Sequence, residues 1–78
     1  MKLLLDTCTF LWLAADDPLL SMRARELFQA PENEVYLSVV SSWEIAVKHA
    51  IGRLPLPEVP GVFVALQRDA LGVQSLPL

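Results

Sequence analysis

Two apolar runs, each followed at once by residues with helix-capping oxygens, constrain this chain more than its composition does. Lys2 to Leu5 is a short run through Leu3-Leu4-Leu5, the pattern of a parallel strand buried on both faces. Asp6-Thr7 follows directly with capping oxygens, and Cys8, Leu11, Trp12 and Ala15 recur at helical spacing. The turn Asp16-Asp17-Pro18 stops that helix. Ser21 caps a second helix, with Ala24, Leu27 and Phe28 inward and Arg23, Arg25, Glu26 and Gln29 outward; Pro31-Glu32-Asn33 ends it.

The pattern then repeats. Glu34 to Val40 is rich in Val, Tyr and Leu and reads as a second strand. Ser41-Ser42-Trp43-Glu44 opens a third helix, with an apolar stripe at Trp43, Ala46, Val47, Ala50 and Ile51 and with Gly52 as its C′ residue. Arg53 to Pro60, with three prolines, is an extended turn. Val59, Phe63, Leu66 and Ala70 mark a fourth helix stopped by Gly72, and Val73 to Leu76 is a third strand.

Strands separated by helix pairs call for parallel crossovers and a layered α/β fold. In such sheets, sites form outside the carboxyl ends of the strands. Asp6 stands at that end of the first strand, and Glu44 a few residues past the same end of the second. Both carboxylates therefore belong to one rim of the sheet. Hard divalent cations such as Mg²⁺ or Mn²⁺ prefer such oxygens and keep several waters, so a working site needs more than two acids.

Each acid also has a purely structural reading. Asp6 suits the N-cap of the first helix, worth about 1 kcal/mol. Glu44 fits a capping box, Ser41-x-x-Glu44, and can pair with Lys48 one turn on for roughly 0.3 kcal/mol. Taken singly, the caps are the commoner outcome.

Composition narrows the class. Seventy-eight residues allow one small domain, yet 54% are hydrophobic and the mean hydropathy is +0.45. No apolar run approaches the roughly 18 residues of a membrane span. Lys2, Leu3-Leu4-Leu5 and Ala14-Ala15 sketch a signal peptide, but Asp6 interrupts it and one Lys is a meagre basic start. The lone Cys8 cannot form an intrachain disulfide, which suits a cytoplasmic chain. A net charge of −3 supplies no broad basic field for nucleic acid, leaving local Arg and Lys contacts as the means of binding it.

The segments Leu3-Leu4-Leu5-Asp6-Thr7, Phe10-Leu11-Trp12-Leu13, Leu20-Ser21 with Arg25-Glu26-Leu27, Val35-Tyr36-Leu37-Ser38, Ser42-Trp43-Glu44-Ile45-Ala46-Val47-Lys48 and Gly52-Arg53-Leu54-Pro55-Leu56-Pro57 occur in that order. Together they resemble the N-terminal portion of PIN-domain proteins, specifically VapC-type toxins of type II toxin–antitoxin systems. The resemblance implies a three-layer αβα fold with a parallel sheet of order 3-2-1-4-5, truncated here after the third strand. It further implies a Mg²⁺- or Mn²⁺-dependent endoribonuclease that acts on RNA and is held inactive by a cognate antitoxin; with the fourth strand of that order lacking, Lys2 to Leu5 becomes an uncovered apolar edge that invites self-association or a homodimer. Asp6 and Glu44 match the family's first two acids, as catalytic residues and metal ligands, with Thr7 as a supporting hydroxyl. The later acids have no counterpart in residues 1–78, the N-terminal part of one such domain, so this chain alone is expected to cleave RNA little or not at all.

Two rivals stand beside that reading: a non-catalytic remnant that self-associates or binds an antitoxin, and an unrelated α/β module in which both acids are caps. The remaining residues have plain expectations. Cys8 reads as a small hydrophobe on a buried helix face, His49 as a cation suiting the end of the third helix, and Asp16, Asp17 and Asp69 as surface acids. Arg23, Arg25, Lys48 and Arg53 are candidate phosphate contacts or ordinary surface charge. Trp12 and Trp43 read as core or dimer-face residues.

Overall fold

Leu3 stands opposite Val35 and Val35 opposite Val73, while Leu5 stands opposite Leu37, so one face of a parallel ladder is lined by branched apolar side chains. The computed structural model describes residues 1–77; Leu78, the last residue of the domain expected over 1–78, lies outside them. Its elements are β1 (Lys2–Leu5), α1 (Thr7–Ala15), α2 (Met22–Gln29), β2 (Glu34–Ser38), α3 (Val39–Ala50), α4 (Pro60–Leu71) and β3 (Val73–Leu76). The strands form one parallel sheet in the order β1-β2-β3, which makes this an α/β fold with β1 at an edge. The described residues supply two layers of the three expected, because the helices gather on one face.

Residue periodicity explains that face. Leu5, Val35, Leu37 and Val73 alternate out of the strands into a core completed by Phe10, Leu13, Leu20, Ile45, Phe63 and Val64. Phe28 of α2 and Leu54 and Leu56 of the proline-rich turn pack on its margin. At about 25 cal/mol per Å² of buried apolar area, such a core only marginally outweighs chain entropy at this length.

Local chemistry sets most of the boundaries. Ser21 caps α2, its Oγ accepting from the Ala24 N–H at 3.1 Å. Pro60 opens α4, where a missing N–H costs nothing. Gly72 closes α4 at φ 67° and Gly52 follows α3 at φ 75°, left-handed conformations in which a Cβ is strained.

Several expectations about helix faces need correction. In α1 the buried residues are Thr7, Phe10 and Leu13, while Cys8 and Ala15 are exposed and Leu11 and Trp12 half-buried. In α2, Leu27 is exposed and Arg25 half-buried. In α3 the core residue is Ile45, and Trp43, Val47, Ala50 and Ile51 face outward. In α4, Phe63 and Val64 are buried, whereas Val59, Leu66 and Ala70 are exposed. The physical reason is common to α1, α3 and α4: they carry apolar residues on more than one side, so periodicity alone offers several stripes and packing chooses among them.

Candidate active site

Asp6 is the residue at which β1 becomes α1. Its extended backbone, φ −80° and ψ 168°, is that of an N-cap, and its Oδ1 accepts from the Thr9 backbone N–H at 2.6 Å. The Asp6 carbonyl accepts from the Phe10 N–H at 3.0 Å, so the first turn of α1 is anchored on this residue. Hydrogen bonding from the Thr9 side chain, then from its backbone N–H, holds the Asp6 carboxyl below its ordinary pKa against a slight opposing push from burial. The side chain is exposed, ionised at neutral pH, and on the carboxyl-end rim of the sheet.

Thr7 is the one buried polar residue among the described residues. It begins α1 against the core, beneath the Asp6 carboxylate in sequence order, where its burial stiffens the strand-to-helix junction.

Glu44 lies on α3, the helix that leaves the carboxyl end of β2. The register pairs Leu5 with Leu37, so Asp6 and Ser38 are the next residues out from neighbouring strands. The helix that carries Glu44 begins earlier than the sequence suggests. Val39 and Val40 are helical, and Ser38 is the N-cap, its Oγ accepting from the Val40 N–H at 3.1 Å. Glu44 is therefore the sixth residue of α3, and the Ser41-x-x-Glu44 capping box does not form. The other structural role does: Glu44 Oε1 lies 3.6 Å from Lys48 Nζ, one turn on.

Asp6 thus has a structural role that the geometry accounts for, while Glu44 has only a half-exposed ion pair of small energetic weight. No hydrogen bond or ion pair joins the two acids among the described residues, and these residues hold no group of three or more His, Cys, Asp or Glu able to grip a metal ion. The donor chemistry suits Mg²⁺ or Mn²⁺; the donor number does not.

The remaining candidates sort by geometry. Arg25 is structural: Nη1 pairs with Asp16 Oδ1 at 2.6 Å and Nη2 donates to the Asp17 carbonyl at 3.1 Å, fastening α2 to the end of α1. Asp16 adopts φ 53°, and Asp17 Oδ1 accepts from the Leu19 N–H at 2.8 Å, so both are turn acids as expected. Arg23 and Arg53 are exposed, His49 is half-buried in the last turn of α3, and Trp43 is 68% exposed instead of core. Leu20, a loop residue between α1 and α2, joins the core; its isolation from any periodic run gave no sign of that burial. No helix among the described residues is long and apolar enough to cross a membrane.

The chain is VapC-like in sequence. It is similar to Ribonuclease VapC16 of Mycobacterium tuberculosis, with 35% identity over 52 residues, covering 67% of this chain and 37% of that relative. The matched stretch spans little more than a third of the relative's length. No family model and no solved structure matches the chain.

Proposed function

We propose that this chain is the N-terminal part of a VapC-type toxin, in which the completed domain is a metal-dependent endoribonuclease of the PIN kind. The placement of Asp6 carries the reading: an ionised carboxylate at the carboxyl end of β1, beside the open edge of a parallel sheet. That is where α/β sheets build their sites, and the likeness to a mycobacterial ribonuclease supports the chemistry. In the completed domain Asp6 and Glu44 are the two acids contributed by this chain to a Mg²⁺ or Mn²⁺ centre, and Thr7 steadies the junction that aims Asp6. RNA is the substrate and a cognate antitoxin the inhibitor.

A second reading is favoured by the outer faces of α3 and α4. Trp43 and Val47 of α3 with Ile51 just past its end, and Val62 and Leu66 of α4 with Val59 just before its start, are exposed, and the two helices pack side by side. Such a patch suits self-association, as a homodimer, or an antitoxin. A remnant keeping only this surface binds without cleaving.

The test joins residues 1–78 to the C-terminal remainder of the mycobacterial relative and follows cleavage of an RNA substrate with Mn²⁺. Cleavage that disappears in Asp6→Asn supports the ribonuclease reading. A folded chimera that captures antitoxin and never cleaves supports the remnant.

A further inference from the structure

β3 is the outer strand on the side of the sheet away from β1, and nothing among the described residues pairs with its free edge. It is short, Val73–Leu76, with Val73 buried and Gln74, Ser75 and Leu76 exposed, and Pro77 follows it. So short an edge, closed by a proline, resists indiscriminate pairing. A segment that binds there has to be held by more than the ladder itself.

The extra hold lies on α4, which packs against β3. Ala65, Arg68 and Asp69 follow one another along one flank of that helix, and with Gly72, Val73 and Gln74 they line an open shelf of about 390 Å³ beside the strand. Arg68 is half-buried there, and its Nε is buried without a hydrogen-bond partner. No acid pairs with Arg68 among the described residues. Asp69 does not serve, because successive helix residues point about 100° apart and do not face each other. A buried donor left without an acceptor costs free energy, and folded chains keep few such groups.

We propose that the free edge of β3 and the Arg68 shelf form a docking site for an extended polypeptide segment that carries a single carboxylate side chain on the face toward α4. The segment adds to β3 as a further strand, and its backbone takes up the outward N–H and C=O groups of Val73–Leu76. Its side chains alternate, so every second one stands on the face that α4 covers. A glutamate or aspartate there lets the Arg68 guanidinium turn toward it, and Nε with one Nη donates to both carboxylate oxygens. Asp69 repels a second carboxylate on the shelf, which limits the segment to one acid at this point. A second copy of this chain fills the role poorly. Its own β3 offers Val73, Gln74, Ser75 and Leu76 and no acid, so edge-to-edge pairing leaves both Arg68 side chains without a partner. The inference rests on the sheet edge and on Arg68, and it stands whether or not the completed protein is a ribonuclease.

The test titrates the 78-residue chain with an acetylated, amidated seven-residue peptide of alternating threonine and valine that has one central glutamate, and with the same peptide carrying glutamine instead. Backbone amide exchange over Val73–Leu76 is expected to slow at least tenfold with the glutamate peptide in excess, and the glutamine peptide to bind at least tenfold more weakly. That comparison reads the carboxylate without altering the protein. Arg68→Met keeps the stem of the side chain, and it should bring the two peptides to equal affinity without lowering the melting temperature of the free chain. Equal binding of both peptides to the parent chain, protection at β1 instead of β3, no protection at the highest soluble peptide concentration, or β3 amides already protected in a concentration-dependent dimer would each overturn the proposal.

Discussion

The Thr9 backbone N–H donates to the Asp6 carboxylate at 2.6 Å, which makes the candidate metal ligand the N-cap of the helix behind it. The two roles are compatible, because a carboxylate has about four lone-pair positions and the cap occupies one. The cap also fixes the side chain's direction. A ligand held by its own helix loses little freedom on binding a cation.

Removing that carboxylate separates the roles. Asp6→Ala should cost the free chain about 1 kcal/mol, and Asp6→Asn only a few tenths, since Asn caps nearly as well. Urea midpoints of the two variants check the order. The pH profile adds a sign. The folded-state pKa of Asp6 is depressed, so its stabilisation is complete above the ordinary carboxylate range and is lost as pH falls through the lowered value. Asp6→Asn should flatten that acid-side loss in melts taken from neutral pH downward.

The true start of α3 is testable with two serines. Ser38→Ala should destabilise by about 1 kcal/mol through loss of the cap, whereas Ser41→Ala, inside the helix, should fall within about 0.5 kcal/mol of neutral. A larger loss at Ser41 would restore the capping box that includes Glu44.

Ile45 and Trp43 should behave oppositely. Ile45 is fully buried, so Ile45→Ala should cost about 2–5 kcal/mol, comparable with all the stability a domain of this size holds. Thermal melts of that variant should lose their cooperative transition. Trp43→Ser leaves the core untouched and should change stability little while reducing self-association measured by sedimentation.

The exposed apolar surface predicts a weak, associating fold. Urea melts should give a low midpoint that rises with protein concentration. A high, concentration-independent monomer midpoint would contradict this.

Where local chemistry decided, the sequence was readable. Leu3-Leu4-Leu5 before Asp6-Thr7 marks β1 and its cap, Ser21 marks α2, and Gly72 separates α4 from β3 at the expected place. Where packing decided, it was not. Val39 and Val40 have strand propensity, yet the Ser38 cap draws them into α3. Trp43, Val47 and Ile51 form a convincing stripe, yet Ile45 fills the core. The place of Asp6 at the carboxyl end of β1 followed from strand polarity, which sequence reveals. Whether Glu44 was a cap depended on one turn of helix, which it did not reveal.

The central claim is that Asp6 serves a metal-dependent ribonuclease rim beyond its duty as a cap. The most direct measurement compares Mn²⁺-dependent RNA cleavage and urea stability of the completed chimera with those of its Asp6→Asn variant. The account predicts unchanged stability with cleavage reduced at least a hundredfold. Cleavage that survives in a stably folded Asp6→Asn chimera would contradict it and leave Asp6 as a helix cap alone.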